Sequence, residues 1–327
     1  MMYFDAAPLE GVTDYVYRAV HHRFFPETDR YYTPFIAANW TRHLKKKEEM
    51  EVTPELNSGV ILVPQILTDD PEVLLFTVRM LREKGYRIVN LNLGCPSVTV
   101  MRHGKGAAQL ADPDRLDAFF ETYFENAAAY GVRGVKLTVK TRVGMDSGRE
   151  AGRLIGIYNR YPIAEVIVHA RTGKAFYGGE VDLEAFSEFA EHCAHPLLFN
   201  GDVVDPASCQ RICALFPALS GVMIGRGLIA NPALVRMLKG GAPLSCEELR
   251  CFHEGLLEEK MRAGGGFQSI CGKMKELWYY MGQMFPRAED ALGKIRAAQD
   301  FAAYRAAVEN LFQTTKPDPF AKFSATN

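Results

Sequence analysis

IVNLNLGCP, residues 88–96, decides the fold. A short β-favouring run, Ile88–Leu93, stops at Gly94-Cys95-Pro96, a glycine and proline break that turns strand into loop. The same pattern repeats on both sides. Phe4–Pro8, Tyr31–Phe35 and Val60–Ile66 precede it, and Val135–Thr141, Val166–His169, Leu197–Asn200 and Gly221–Ile224 follow. Longer stretches with helical spacing fill the gaps: Pro71–Lys84, Pro113–Tyr130, Arg149–Arg160, Leu183–His192, Pro206–Leu215 and Pro232–Leu238. Asp70-Pro71, Asp112-Pro113, Asp205-Pro206 and Asn231-Pro232 each set a capping side chain before a proline at the first helical position. Eight β-runs alternating with helices predict a parallel sheet, and eight strands close an α/β (β/α)8 TIM barrel. An open doubly wound sheet is the rival. It calls for a G-x-G-x-x-G turn after its first strand, and none is present.

Past about residue 240 the pattern changes. Gly240-Gly241-Ala242-Pro243 reads as a linker, and no clear strand follows it. Leu244–Met261, Phe267–Phe285, Pro286–Asp300 and Phe301–Thr314 read as helices. In the second, Ile270, Met274, Leu277, Met281 and Phe285 step by three and four to form one apolar stripe. The expected division is a barrel over residues 1–240 and a small all-helical bundle over 244–327.

With 38 Lys+Arg against 39 Asp+Glu in 327 residues, the net charge of −1 excludes a protein that holds nucleic acid by bulk charge; any RNA face must be local. An apolar fraction of 48% excludes disorder as the main state. No apolar run approaches the ~18 residues of a membrane span, and MMYFDAAPLE lacks the layout of a signal peptide, so a cytoplasmic enzyme is expected. Seven cysteines without a C-x-x-C pair indicate neither a disulfide framework nor a zinc ribbon, and no metal site is expected.

Barrel chemistry sits at the carboxyl ends of the strands. Those ends read Pro8-Leu9-Glu10-Gly11, Gln65, Asn92 to Pro96, Lys140-Thr141-Arg142, His169-Ala170-Arg171, Asn200-Gly201-Asp202 and Gly225-Arg226-Gly227. Glycines after the seventh and eighth strands let backbone approach an anion, and Arg226 adds a charged donor, as in the phosphate sites of such barrels. Lys140 and Gln65 in the mouth suit a polar heterocycle that becomes anionic. One phosphate and one such ring describe a flavin mononucleotide, whose reduced form is stabilised by a cation near N1. Cys95 is a candidate nucleophile, metal ligand or acid. No second cysteine or histidine joins it at ligand spacing, and a thiol with an ordinary pKa near 8.5 is mostly protonated at neutral pH, so it can give a proton to carbon.

Read together, Ala7 to Asp14, Pro64-Gln65, Leu91-Asn92-Leu93-Gly94-Cys95-Pro96-Ser97, Val139 to Gly144, Val168-His169-Ala170-Arg171-Thr172, Asn200-Gly201-Asp202 and Gly221 to Gly227 resemble the tRNA-dihydrouridine synthases. The resemblance implies an FMN barrel with a helical tRNA-recognition domain that reduces a tRNA uridine to 5,6-dihydrouridine, with NADPH or NADH reducing the flavin. It implies that Cys95 protonates uracil C5 while flavin N5 delivers hydride to C6. It assigns Pro8, Leu9, Glu10, Gln65, Lys140, His169, Asn200, Gly201, Asp202, Gly225 and Arg226 to FMN, and Asn92 and Arg171 to the uracil. Leu9 stands where methionine is common in the family.

The target base must leave its stack at a cost of a few kcal/mol, offset by shape-directed contacts to phosphate and ribose. Basic groups available for these are Arg42, Lys45, Lys46, Lys47, Arg102, Lys105, Arg171 and Lys174, and in the tail Lys260, Arg262, Lys273, Lys275, Lys294, Arg296 and Arg305. A mobile loop carrying Cys95, Gly104 and Gly106 is expected to close over bound RNA. No membrane, DNA or obligate protein partner is expected. Two rivals stay open: an FMN barrel acting on a free small molecule such as a pyrimidine base, and an RNA-binding module with a vestigial flavin site.

Overall fold

β1 (Tyr3–Ala6) pairs in parallel with β2 (Arg30–Tyr32, resumed at Ile36–Ala37), and β2 with β3 (Leu62–Val63, resumed at Gln65–Leu67). The ladder continues through β4 (Ile88–Asn92), β5 (Lys136–Gly144), β6 (Glu165–Thr172) and β7 (Leu197–Asn200) to β8 (Gly221–Ile224), which returns to β1 by the pair Tyr3 and Gly221. The ring is closed. The computed structural model describes residues 2–40, 43–321 and 323.

Proline explains why β2 and β3 are each broken. Pro34 and Pro64 have no N–H to give to a ladder, so pairing lapses there. The Thr33 hydroxyl fills part of the gap by accepting the Gln65 amide at 2.9 Å. Side chains between the β-ring and the helices form one apolar cluster, with Ile66, Val89, Leu91, Val139, Val166, Val168 and Phe199 fully buried. At the amino end of the barrel, Arg30 bridges the Asp5 and Glu165 carboxylates at 2.6 and 3.0 Å.

The aspartate caps act as expected. Asp70, Asp112 and Asp205 accept backbone N–H groups at the starts of Pro71–Glu83, Pro113–Asn126 and Pro206–Leu215. Asn231 accepts the Ala233 amide at 3.1 Å, although the helix itself begins only at Leu234, and its side-chain nitrogen donates to the Pro319 carbonyl. Four helices lie outside the sequence reading: Tyr15–Phe24, Lys46–Glu51, Val98–Arg102 and Arg226–Ala230. The first, YVYRAVHHRF, is rich in aromatic and β-branched residues with weak helix propensity. Its stability comes from packing.

That packing is against the tail. Cys246–Arg262, Phe267–Met281, Glu289–Ala297 and Phe301–Thr314 enclose a second apolar cluster that also takes in Val16, Tyr17, Val20 and Phe25. Ile270, Met274, Leu277, Met281 and Phe285 are all buried, as their spacing predicts, and each contributes roughly 1.5–3 kcal/mol. The seam also holds charge. Asp14 caps Tyr15–Phe24 through the Tyr17 amide and accepts Lys260 at 3.0 Å and Lys273 at 2.8 Å from the tail.

Candidate active site

The carboxyl ends of the strands surround a cavity of about 390 Å³. Pro8, Leu9, Glu10, Gln65, Asn92, Cys95, Lys140, His169, Asn200, Gly201, Asp202, Gly225 and Arg226 all line it. Barrel topology brings them together from seven strand ends separated by up to the length of the barrel sequence.

The inner wall is a chain of amides. Asn90 gives its Nδ2 to Thr138 and accepts Gln65 Nε2 at 2.8 Å; Gln65 Oε1 accepts Asn92 Nδ2 at 2.7 Å. Asn92 Oδ1 in turn accepts the backbone amides of Gly94 and Cys95 at 3.0 and 2.9 Å. The segment after Cys95 is not an open loop. It folds into the short helix Val98–Arg102 and the 3-10 turn Gly106–Ala111, and the Ala107 amide is bonded to the Cys95 carbonyl at 3.0 Å. Gly106 is required there. Its φ is +61°, and a Cβ would stand 2.7 Å from that carbonyl.

Burial raises the Cys95 thiol pKa, opposed by the Ser97 amide and the cations Lys140 and Arg142, so the thiol is held in its acid form. Burial, with repulsion from Arg142, pulls Lys140 down to about 7. Among the described residues the Lys140 ammonium has no hydrogen-bond or ion-pair partner. His169 is pushed well below its ordinary range by burial and then by Arg142, Lys140, Arg171 and Arg226, which keeps it neutral.

Arg142, named among the strand ends but given no role there, also lines the cavity. β5 runs on to Gly144, so Lys140 and Arg142, two apart, share its inward face. Arg142 donates to the Gly94 and Thr172 carbonyls at 2.8 and 2.7 Å. The signal was available in that spacing. Tyr177, unforeseen, lies between two guanidinium groups, with its ring centre 5.5 Å from Arg142 Cζ and 5.6 Å from Arg226 Cζ. Glu276, Tyr279, Tyr280 and Phe323 reach the cavity from the tail, and no local pattern foretells them.

Arg171 does not line the cavity and is 2% exposed. Its guanidinium donates to the Gly178 and Gly179 carbonyls at 3.1 and 2.6 Å and clamps the Asp202 carboxylate, which Arg226 holds from the other side at 3.0 Å. With its donors so engaged it supports Asp202 from behind the cavity wall. Lys260 is likewise withdrawn from any RNA face: it is 4% exposed and bonded to Asp14. Lys273 is also committed to Asp14, and Lys275 to the Ala298 carbonyl at 2.7 Å. Lys47 pairs with Glu10, Lys105 with Asp69, Lys174 with Asp146, Arg262 with Glu259 and Arg305 with Glu254. Lys45, Lys46, Arg102, Lys294 and Arg296 are exposed, and Arg42 lies outside the described residues.

These groups suit a planar heterocycle carrying an anionic tail. Lys140 offers a charge on the inner wall, and the Gly201 and Gly225 amides meet no acceptor among the described residues. Arg226 stands beside both. A Cβ at Gly201 would come within 2.8 Å of Val181, so only glycine keeps that approach open. Among the described residues no group of three or more His, Cys, Asp or Glu is placed to hold a metal ion, and no helix is long and apolar enough to cross a membrane.

Comparison with known proteins gives a consistent result. The family model described as Dihydrouridine synthase (Dus) matches residues 5–323. A tRNA-dihydrouridine(16) synthase of Shigella flexneri is 31% identical over 244 residues, covering 72% of this chain and 75% of the relative. One from Cupriavidus necator is 28% identical over 318 residues, covering 93% of this chain and 96% of the relative. Among solved structures, morphinone reductase superposes with a TM-score of 0.52 at 12% identity, over 73% of this chain and 86% of that one. The old yellow enzyme from Trypanosoma cruzi reaches 0.50 at 11% identity, over 74% and 89%. Both show the barrel fold alone.

Proposed function

The chain belongs to the dihydrouridine synthase family, and on that premise we propose that it reduces a uridine of tRNA to 5,6-dihydrouridine with FMN in the barrel mouth and NADPH or NADH as reductant. The observation that carries the reading is that a protonated thiol, Cys95, and an unpartnered lysine, Lys140, share one cavity. The flavin, when bound and reduced, supplies a hydride to uracil C6.

The chain's own groups do the rest. Hydride addition at C6 leaves negative charge over C5 and O4. Cys95 gives its proton to C5 and is left as a thiolate, which takes a proton back from solvent before the next cycle. Asn92 fixes the Cys95 backbone and Gln65. Lys140 and Gln65 serve the heterocycle, while Gly201, Gly225 and Arg226 take the phosphate and Asp202 aligns Arg226. Pro8, Leu9, Glu10, His169 and Asn200 complete the FMN wall. Residues 1–240 form the catalytic unit and 244–327 the tRNA-recognition unit, working in the cytoplasm where tRNA is found. Glu276, Tyr279 and Tyr280 in the wall favour a polymeric substrate over a free pyrimidine, which would not need the tail.

Position 16 in the relatives' printed names sets the site to test here. Unmodified tRNA, NADPH and purified holoenzyme should yield dihydrouridine at position 16 by mass-spectrometric mapping. Flavin-loaded protein that forms none in any tRNA, yet reduces free uracil or uridine, would overturn the reading.

A further inference from the structure

The tail helix Phe267–Met281 places Glu276, Tyr279 and Tyr280 on the cavity wall. Spacings of three and four put them on one helix face. Glu276 reaches the loop after β1, its Oε2 lying 3.9 Å from where a Cβ on Gly11 would stand.

The acids at this rim are not equivalent. Glu10 is paired with Lys47 at 2.9 Å, and Asp202 is held by Arg171 and Arg226. Glu276 has no hydrogen-bond or ion-pair partner among the described residues. Lys273, one turn earlier, gives its ammonium to Asp14 at 2.8 Å. Lys273 eases the Glu276 charge only through space, against a burial that raises its pKa; a carboxylate beside a polyanion is repulsive unless it accepts a hydrogen bond, and an ionised carboxylate can only accept. The interior, with Asn92 and Cys95, receives the base, so the sugar of the same nucleotide remains at the rim. Its 2′-hydroxyl is the donor that a rim carboxylate meets.

We propose that Glu276 accepts a hydrogen bond from the ribose 2′-hydroxyl of the target nucleotide, with Tyr280 packed beside it, so that the tail distinguishes RNA from DNA at the reacting residue. This rests on the reading that a tRNA uridine enters toward Cys95.

The test uses full-length holoenzyme and tRNAs ligated to carry uridine, 2′-deoxyuridine, 2′-O-methyluridine or N3-methyluridine at the target position. Binding is read by filter retention and product by single-turnover mass spectrometry. Wild type should lose about tenfold in affinity on deoxy or O-methyl substitution, the worth of one charge-assisted hydrogen bond. Glu276→Ala should bind the uridine and deoxyuridine tRNAs equally, and Glu276→Gln, whose amide oxygen still accepts, should keep part of the difference. The proposal is overturned if Glu276→Ala discriminates as wild type does. It is equally overturned if the Glu276-dependent loss follows N3 methylation, which would make the group a reader of the base. No dihydrouridine from wild type on the uridine tRNA would instead sink the proposed activity, and the binding comparison would still report on Glu276.

Discussion

Asn92 holds Cys95 in place: one side-chain oxygen accepts the Cys95 amide at 2.9 Å, while the nitrogen of the same amide group donates to Gln65 at 2.7 Å. The proposed acid and the proposed flavin contact are therefore positioned by one residue that is itself 7% exposed. Asn92→Ala strands the buried Gly94 amide and the half-buried Cys95 amide and frees the Gln65 oxygen. The expected cost is about 1–3 kcal/mol of stability, with a fall in dihydrouridine formation larger than the loss of folded protein explains. Thermal melts beside turnover check this, and wild-type turnover would refute the link.

Cys95→Ala should retain flavin colour and tRNA binding but lose roughly 100-fold or more in dihydrouridine formation, the usual share of a general acid. The pH profile follows from the sign of the shift. Burial raises the thiol pKa, and the active form is the protonated one. Activity should therefore hold through neutral pH and decline only on the alkaline side, above the ordinary thiol range. A decline beginning near pH 7 in wild type, preserved in Cys95→Ala, would assign the titration elsewhere.

Lys140 makes a second pH prediction, in the cofactor-free protein. Its folded pKa, about 7, lies below the 10.5 of the unfolded chain, so between these values the unfolded state binds more protons. The buried charge destabilises the protein fully below pH 7, and the penalty shrinks as pH rises toward 10.5. Lys140→Met should thus be more stable than wild type by a few kcal/mol at pH 6, with the gap narrowing by pH 9 in denaturant melts. A gap independent of pH would show that Lys140 stays charged when folded. The same variant should bind FMN poorly, measured by fluorescence titration.

Asp14 and Lys260 tie the tail to the barrel from buried positions. Lys260→Met leaves the Asp14 carboxylate with Lys273 alone and should cost about 3 kcal/mol. Burial works to raise the Asp14 pKa, but the two lysines and the Tyr17 amide outweigh it and lower it. Its contribution is present above the unfolded carboxylate pKa and is lost as pH falls through the lower folded one. Docking of the tail should accordingly loosen in strong acid, seen as proteolysis between residues 240 and 246 before the barrel opens. Simultaneous cleavage throughout the chain would contradict it.

Much of the barrel was legible because its cues are local. Parallel strands buried on both faces read as short apolar runs, and an aspartate before proline caps a helix through its own next few amides. Pro8, Gln65, Asn92, Cys95, Lys140, His169, Asn200, Gly201, Gly225 and Arg226 reached one cavity by the same logic, since a strand's carboxyl end always faces the barrel mouth. Helix Tyr15–Phe24 escaped because its stability lies in contacts with a tail more than 200 residues away.

The amino-acid order alone thus determined the strand count, the starts of the helices capped by an aspartate before proline and the ring of residues at the strand ends, all set by interactions among near neighbours. Folding in three dimensions decided which charges are spent and which stay available. Arg171 and Lys260 look like free cations in the chain, yet one is saturated by Asp202 and two carbonyls and the other by Asp14. Lys140 and Glu276 look no different in sequence and, among the described residues, are left without a hydrogen-bond or ion-pair partner. A side chain's partner is fixed by distance through space, and a charge acquires its meaning only when burial makes the lack of a partner expensive.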